Sequence, residues 1–106
     1  VQPDDATFKA AATGADWNRS FYQVLTNQSG KDAWPLTSAT FIIMHKVQDK
    51  PAQGTATLKF FEWAFSQGDK LAADLEYVPM PDAVKGLSRK AWSEVKDGAG
   101  KPVLAK

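Results

Sequence analysis

The chain contains no cysteine, which excludes a disulfide framework and any thiolate metal site. It has a single histidine, His45, so no multi-histidine metal cluster exists and a Ser-His-Asp triad would depend on that one side chain. An excess of charge of either sign is also missing. Thirteen basic and twelve acidic residues leave a net charge of +1 at pH 7, with no clustered basic face of the kind a nucleic-acid partner requires. No apolar run approaches the roughly 18 residues of a membrane span, so direct membrane insertion is not expected. There is no Walker loop and no dinucleotide fingerprint, because the Gly98–Gly100 GxG lacks a strand before it and a helix after it. No signal peptide is visible and the chain starts at Val1, a pattern that leads one to expect processing or truncation. The missing cysteines leave the cellular compartment open.

What is present fits one modest globular domain: 106 residues, 43% of them hydrophobic. In PDDATFKAAATG, Asp4 can cap a helix, Asp5 places negative charge in its first turn and Gly14 provides a stop. Phe8, Ala11 and Ala12 then share a narrow apolar face. Trp17, Phe21 and Tyr22 are expected to pack, and Asn27 to Asp32 reads as a polar loop. The Trp34-Pro35 pair biases the chain toward an extended conformation. From Thr37 to Met44 the β-branched and aromatic content fits a strand, and Phe41, Ile42, Ile43 and Met44 form an unbroken apolar run expected to be buried on both faces.

The second half reads as helical. A helix over about Gln53 to Gln67 carries LKFFEWAF, with Leu58, Phe61 and Phe65 on one face and Phe60, Trp63 and Ala64 widening it. That aromatic set could serve as a ligand-stacking platform, but helical spacing favours core. Gly68 breaks the helix, and GDKLAADLEY reads as a second short helical piece. A final helix starts near Pro81, with Val84, Leu87, Ala91 and Val95 on one face and Trp92 beside them. Pro102 to Leu104 could add a last extended piece.

The count is about five helical pieces and one convincing buried strand. The candidate partners for that strand, Tyr22 to Leu25, Glu76 to Val78 and Val103 to Leu104, are weak. Each backbone group buried without a partner costs roughly 1–3 kcal/mol, and a few would consume a typical domain stability of about 5–15 kcal/mol. The strand's partners must therefore come from elsewhere, and the chain reads as a fragment.

Few side chains suggest chemistry. His45 reads as a boundary residue, with a hydrolase or phosphatase using it as the less favoured reading. Asp4, Asp5, Asp69 and Asp74 read as solvated, helix-supporting carboxylates rather than a catalytic pair. The hydroxyls of Thr37, Ser38 and Thr40 could face an oxyanion, though such residues are ordinary at a strand start. A small helical interaction module presenting Leu58 to Phe65 is a further alternative.

The stretches GADWNRSFYQVLTNQSGKDAWPLTSATFIIMHK and KFFEWAFSQGDKLAADLEYVPMPDAVKGLSRKAW resemble the C-terminal third of periplasmic phosphate-binding proteins, the substrate-capturing components of bacterial phosphate ABC transporters. The resemblance runs from about Pro3 to Pro102. It implies an α/β chain forming part of a type II periplasmic-binding-protein fold, helix-rich with one main buried strand, within a two-lobed whole. Residues 1–36 would end the second lobe and cross over, and residues 37–106 would complete the first lobe. It further implies a periplasmic, non-enzymatic protein without a cofactor or metal, with inorganic phosphate and the permease subunits as partners. The family's phosphate-contacting motifs match no position here, and neither Arg19 nor Arg89 has the context of its cleft arginine. No catalytic or ligand-binding residue is therefore expected in this segment, which would contribute hinge and packing surface. Without the rest of the protein, an open apolar edge is expected to drive self-association.

Overall fold

The computed structural model describes residues 1–104; the last two residues of the 37–106 segment lie outside the described residues. Asp4 and Thr7 begin the first helix, α1 (Asp5–Thr13), with a reciprocal capping box. The Asp4 carboxylate accepts from the Thr7 backbone N–H at 2.9 Å, and the Thr7 hydroxyl accepts from the Asp4 N–H at 3.1 Å. Gly14 ends the helix, as its sequence position predicts. Ala11 and Ala12 are buried, while Phe8 lies against Trp34 with ring centroids 6.5 Å apart.

After α1 the chain runs through loops until β1 (Val47–Gln48), followed by α2 (Pro51–Gln67), α3 (Asp69–Asp74), α4 (Asp82–Trp92) and β2 (Lys96–Asp97). α2 begins two residues earlier than the sequence suggests, because Pro51 occupies the first turn, where its missing N–H is not needed. Gly54 faces the Gln48 side chain so closely that an added Cβ would lie 2.9 Å from its Oε1, which lets β1 pack tightly on α2. β1 and β2 pair in parallel, Val47 with Lys96 and Gln48 with Asp97, so α2, α3 and α4 form the crossover of a βαβ unit. This is an α/β arrangement with a very small sheet. Asp97 then closes a tight turn, its Oδ1 accepting the Ala99 and Lys101 N–H groups at 2.9 Å each, with Gly100 at φ +83°. That turn returns Val103 to donate to the Val95 carbonyl at 3.1 Å.

Two small apolar clusters hold the chain. In one, Ala12, Trp17, Leu25 and Val84 pack together, and the Trp17 indole N–H donates to the Ala12 carbonyl at 2.7 Å. In the other, Leu58, Val95 and Val103 are joined by Met44, Trp92 and Leu104. α4 thus presents the predicted face of Val84, Leu87 and Ala91, and Val95 continues it just beyond the helix end.

Several expectations are corrected. Among the described residues there are four helices rather than about five. The predicted main strand over Thr37 to Met44 has no regular structure and is not buried on both faces: Phe41, Ile42 and Ile43 are exposed, Ile43 at 94%, while Thr37 is buried and Met44 packs against the second cluster. The reason is the one that makes the strand an orphan in the sequence. No described residue from Leu36 to His45 takes part in a backbone–backbone hydrogen bond, so burial would strand polar groups and the backbone turns to water instead. The three weak partner candidates do not pair with it, and the short Lys96–Asp97 segment pairs instead with the residues that follow it. Of the aromatic trio near the first loop, Trp17 packs, whereas Phe21 and Tyr22 are exposed. The core reading of Phe60 and Trp63 also fails within this chain. Both lie on the solvent side of α2, in contact with each other at 6.1 Å, because α2 packs on only one flank.

The three crossover helices are fastened by a lysine. Lys85 is 3% exposed, and its ammonium donates to both carboxylate oxygens of Asp69 at 2.7 Å and to the Phe65 carbonyl at 3.1 Å. The carbonyl it caps lies in the last turn of α2, where the helix dipole is negative. Arg89, one turn further along α4, grips Glu62 with bonds of 2.8 and 3.0 Å, and both cations lie within 6 Å of the Phe65 ring. The Arg89 hydrogen bond, aided by the Ser66 hydroxyl, holds the Glu62 carboxyl below its ordinary pKa. Asp69 is therefore more than a solvated helix-supporting carboxylate.

The two ends of the Lys85–Asp69 pair differ in burial, and this sets an order of damage. Asp69→Ala leaves a buried ammonium without its counter-ion and is expected to cost about 3 kcal/mol. Lys85→Met leaves a half-exposed carboxylate that water can solvate and is expected to cost about 1 kcal/mol. Urea denaturation of the two variants checks the order, and equal losses would contradict it.

Candidate functional site

Between Ala33 and Met44 the sequence contains no charged side chain. The structure places this neutral stretch across the surface between α1 and the crossover helices, with a groove on either side. The first groove, of about 360 Å³, is lined by Phe8, Thr37, Ser38, Thr40, Tyr77 and Met80 among others. The second, of about 370 Å³, runs under Phe41, Ile42 and Met44 against Trp17, Phe65 and Trp92. Met80 belongs to both. The chain reaches this position after α3 by an abrupt turn. Glu76 adopts φ +64° and closes the helix end, its N–H donating to the Ala73 carbonyl and the Tyr77 N–H to the Ala72 carbonyl.

The hydroxyl trio that could face an oxyanion lies on the rim of the first groove. Thr37 is buried and its hydroxyl donates to the Trp34 carbonyl at 2.7 Å, so it is already engaged. Ser38 and Thr40 face outward into the groove mouth without a hydrogen bond among the described residues. Among the described residues the cation on the groove, Lys9, pairs with Asp5 at 2.9 Å. Arg89 is held by Glu62, and Arg19 is exposed on the loop after α1. Among the described residues no convergent set of buried donors forms, and a dehydrated oxyanion needs one.

His45 is exposed next to Lys46, the boundary position its sequence context suggests; its backbone carbonyl accepts from the Gln48 side-chain amide at 2.6 Å. Among the described residues its imidazole has no hydrogen-bonded acidic neighbour, and no three His, Asp or Glu side chains come close enough to hold a metal ion. No described helix is long and apolar enough to cross a membrane. What the surface offers instead is apolar area and unpaired backbone. Sequence reasoning missed the buried role of Lys85, since a lysine at a single position of an amphipathic helix gives no sign of burial. It also missed Met80 as the shared wall of the two grooves.

No protein-family model matches the chain. Curated relatives match it along most of its length. The phosphate-binding protein PstS of Pasteurella multocida is 42% identical over 104 residues, covering 95% of this chain and 30% of that protein. PstS of Haemophilus influenzae is 40% identical over 94 residues, 87% of this chain and 28% of that protein. PstS of Xylella fastidiosa is 46% identical over 99 residues, 91% of this chain and 27% of that protein. The chain is thus homologous to a segment of the phosphate-binding PstS proteins and spans less than a third of the length of these relatives. This bears out the family resemblance drawn from the two stretches quoted above.

The geometry and the homology together give a definite expectation for the chain alone. Calorimetric titration with inorganic phosphate is expected to show no saturable binding tighter than millimolar, because the donors present are engaged or dispersed. Micromolar saturable binding would contradict this account of the site.

Proposed function

We propose that this chain is the C-terminal portion of a phosphate-capturing protein that works in the bacterial periplasm and delivers inorganic phosphate to an ABC permease. It is a binding component and carries out no chemistry on its ligand. In this reading the whole protein has the two-lobed type II periplasmic-binding-protein fold. Residues 1–36 end the second lobe and cross over, and residues 37–106 complete the first. The phosphate contacts come from chain outside this segment, where buried donors and helix N-termini can converge on the oxyanion. This segment supplies hinge and packing surface.

The observation that carries the reading is the similarity to PstS proteins, at 40–46% identity, along nearly the whole chain. The shape of the chain supports it independently. Its accessible surface is 7667 Å², whereas a compact monomer of this mass exposes about 5,800 Å². Its radius of gyration is 15.3 Å, against about 13 Å for a compact domain of this length. The extra area includes Leu36, Phe41, Ile42 and Ile43, residues that would complete a sheet if strands flanked them.

A chimera tests the proposal. The matching segment of the Pasteurella multocida PstS would be replaced by this chain, and phosphate binding measured by calorimetry. The expected result is saturable binding at micromolar concentration or tighter, within about tenfold of that measured for the unmodified relative. A chimera that folds cooperatively and does not bind phosphate would overturn the reading.

A further inference from the structure

We propose that the chain opens in two steps: residues 1–44 detach along an apolar seam, while residues 45–104, fastened by Lys85 and Arg89, stay folded as one body. The proposal concerns contacts inside this segment, and it goes beyond the phosphate reading without depending on it.

Three observations carry it. The first is where the polar contacts lie. Residues 1–44 are tied among themselves: the Trp34 N–H donates to the Thr7 carbonyl at 3.0 Å, the Asn27 N–H to the Pro35 carbonyl at 2.9 Å, and the Trp17 indole to the Ala12 carbonyl at 2.7 Å. Residues 45–104 are likewise tied among themselves. The Lys96 N–H donates to the Lys46 carbonyl at 2.8 Å, the Val103 N–H to the Val95 carbonyl, and the Thr55 hydroxyl to the Val103 carbonyl. Among the described residues no hydrogen bond or ion pair joins the two groups. The second observation is the seam between them. Val84 of α4 meets Ala12, Trp17 and Leu25, and Met44 meets the cluster of Leu58, Val95 and Val103. These contacts are apolar, with no directional bond to break. Both grooves run along the seam, each lined from both sides. About 360 and 370 Å³ beside those contacts is thus left unfilled, and the side chains facing it lack partners. The third is the closure of the second group. The β1–β2 ladder joins its ends, Phe65 stacks on Trp92 with centroids 5.3 Å apart, and Lys85 and Arg89 bind α4 to Asp69 and Glu62. Opening it would strand the buried Lys85 ammonium, a cost that separation along the seam avoids. A βαβ motif closed in this way opens as one body, at a higher free energy than the seam.

Amide hydrogen exchange of the full chain, dilute and in low urea, tests the order of opening. The α1 amides from Phe8 to Thr13 are expected to exchange roughly tenfold or more faster, relative to their intrinsic rates, than those of α2 from Thr57 to Gln67 and of α4 from Gly86 to Trp92. Lys85→Met weakens the second body equally in the native and the half-open chain. It is expected to speed exchange in α2 and α4 about fivefold and to leave α1 unchanged. Trp17→Ala removes the largest side chain of the seam. It is expected to speed α1 exchange roughly tenfold or more, while α2 and α4 keep measurable protection and helical circular dichroism even where residues 1–44 are wholly released. Lys85→Met changing α1 and the crossover helices alike would show one cooperative body and overturn the proposal. So would α1 amides that outlast those of α2 and α4, or a Trp17→Ala chain that loses protection in α2 and α4 altogether.

Discussion

A backbone amide or carbonyl leaves water only when another polar group receives it, and this constraint governs where the chain can build a core. Phe41, Ile42, Ile43 and Met44 are the most apolar run in the sequence. Hydrophobic burial of such side chains would contribute about 1.5–3 kcal/mol each. Within the described residues no strand is available to take up their backbone groups, and the cost of burying those unpaired cancels the gain. Phe41, Ile42 and Ile43 therefore stay at the surface while Met44 packs inward, and the two apolar clusters form one against α1 and one against α2 and the start of β2.

The same constraint explains what does fold. Helices satisfy their backbone groups internally, so α1, α2 and α4 need only one flank to pack. The crossover is then fastened by polar contacts beside its small apolar core. Lys85 reaches from α4 to a carboxylate at the start of α3 and a carbonyl near the end of α2. Arg89 ties α4 to Glu62 a turn away along α2, with both cations within 6 Å of the Phe65 ring. The unit is held by one buried ammonium, one stacked aromatic pair, Phe65 on Trp92, and a short parallel ladder.

Local signals were legible in the sequence and non-local ones were not. Asp4, Gly14, Pro51, Gly68 and Pro81 mark helix ends, and each of them lies at an end in the structure because capping and ring geometry act within a turn. The apolar run at Phe41 to Met44 announced a strand, yet a strand is a relation between segments, and the run's own composition cannot supply the neighbour. Phe60 and Trp63 carried the same difficulty in another form. Their spacing along α2 specifies a helix, while the side of the helix that meets other chain depends on what surrounds it. The pairing of Val47–Gln48 with Lys96–Asp97 had no sequence signal, since both segments are short and three of the four residues are polar. Arg19 and Arg89 stand in no phosphate motif of the sequence, and the structure leaves the first exposed and the second committed to Glu62.

The central claim is that the Leu36–Lys46 face is built to be covered by chain outside this segment. Amide hydrogen exchange at Ile42, Ile43 and Met44 tests it most directly, comparing the free chain, diluted until monomeric, with the same residues inside the Pasteurella multocida PstS chimera. The account predicts exchange close to the unprotected rate in the free chain and protection by roughly a thousandfold or more in the chimera, where both strand edges are paired. Equal protection in the two, or strong protection in the dilute free chain, would contradict it.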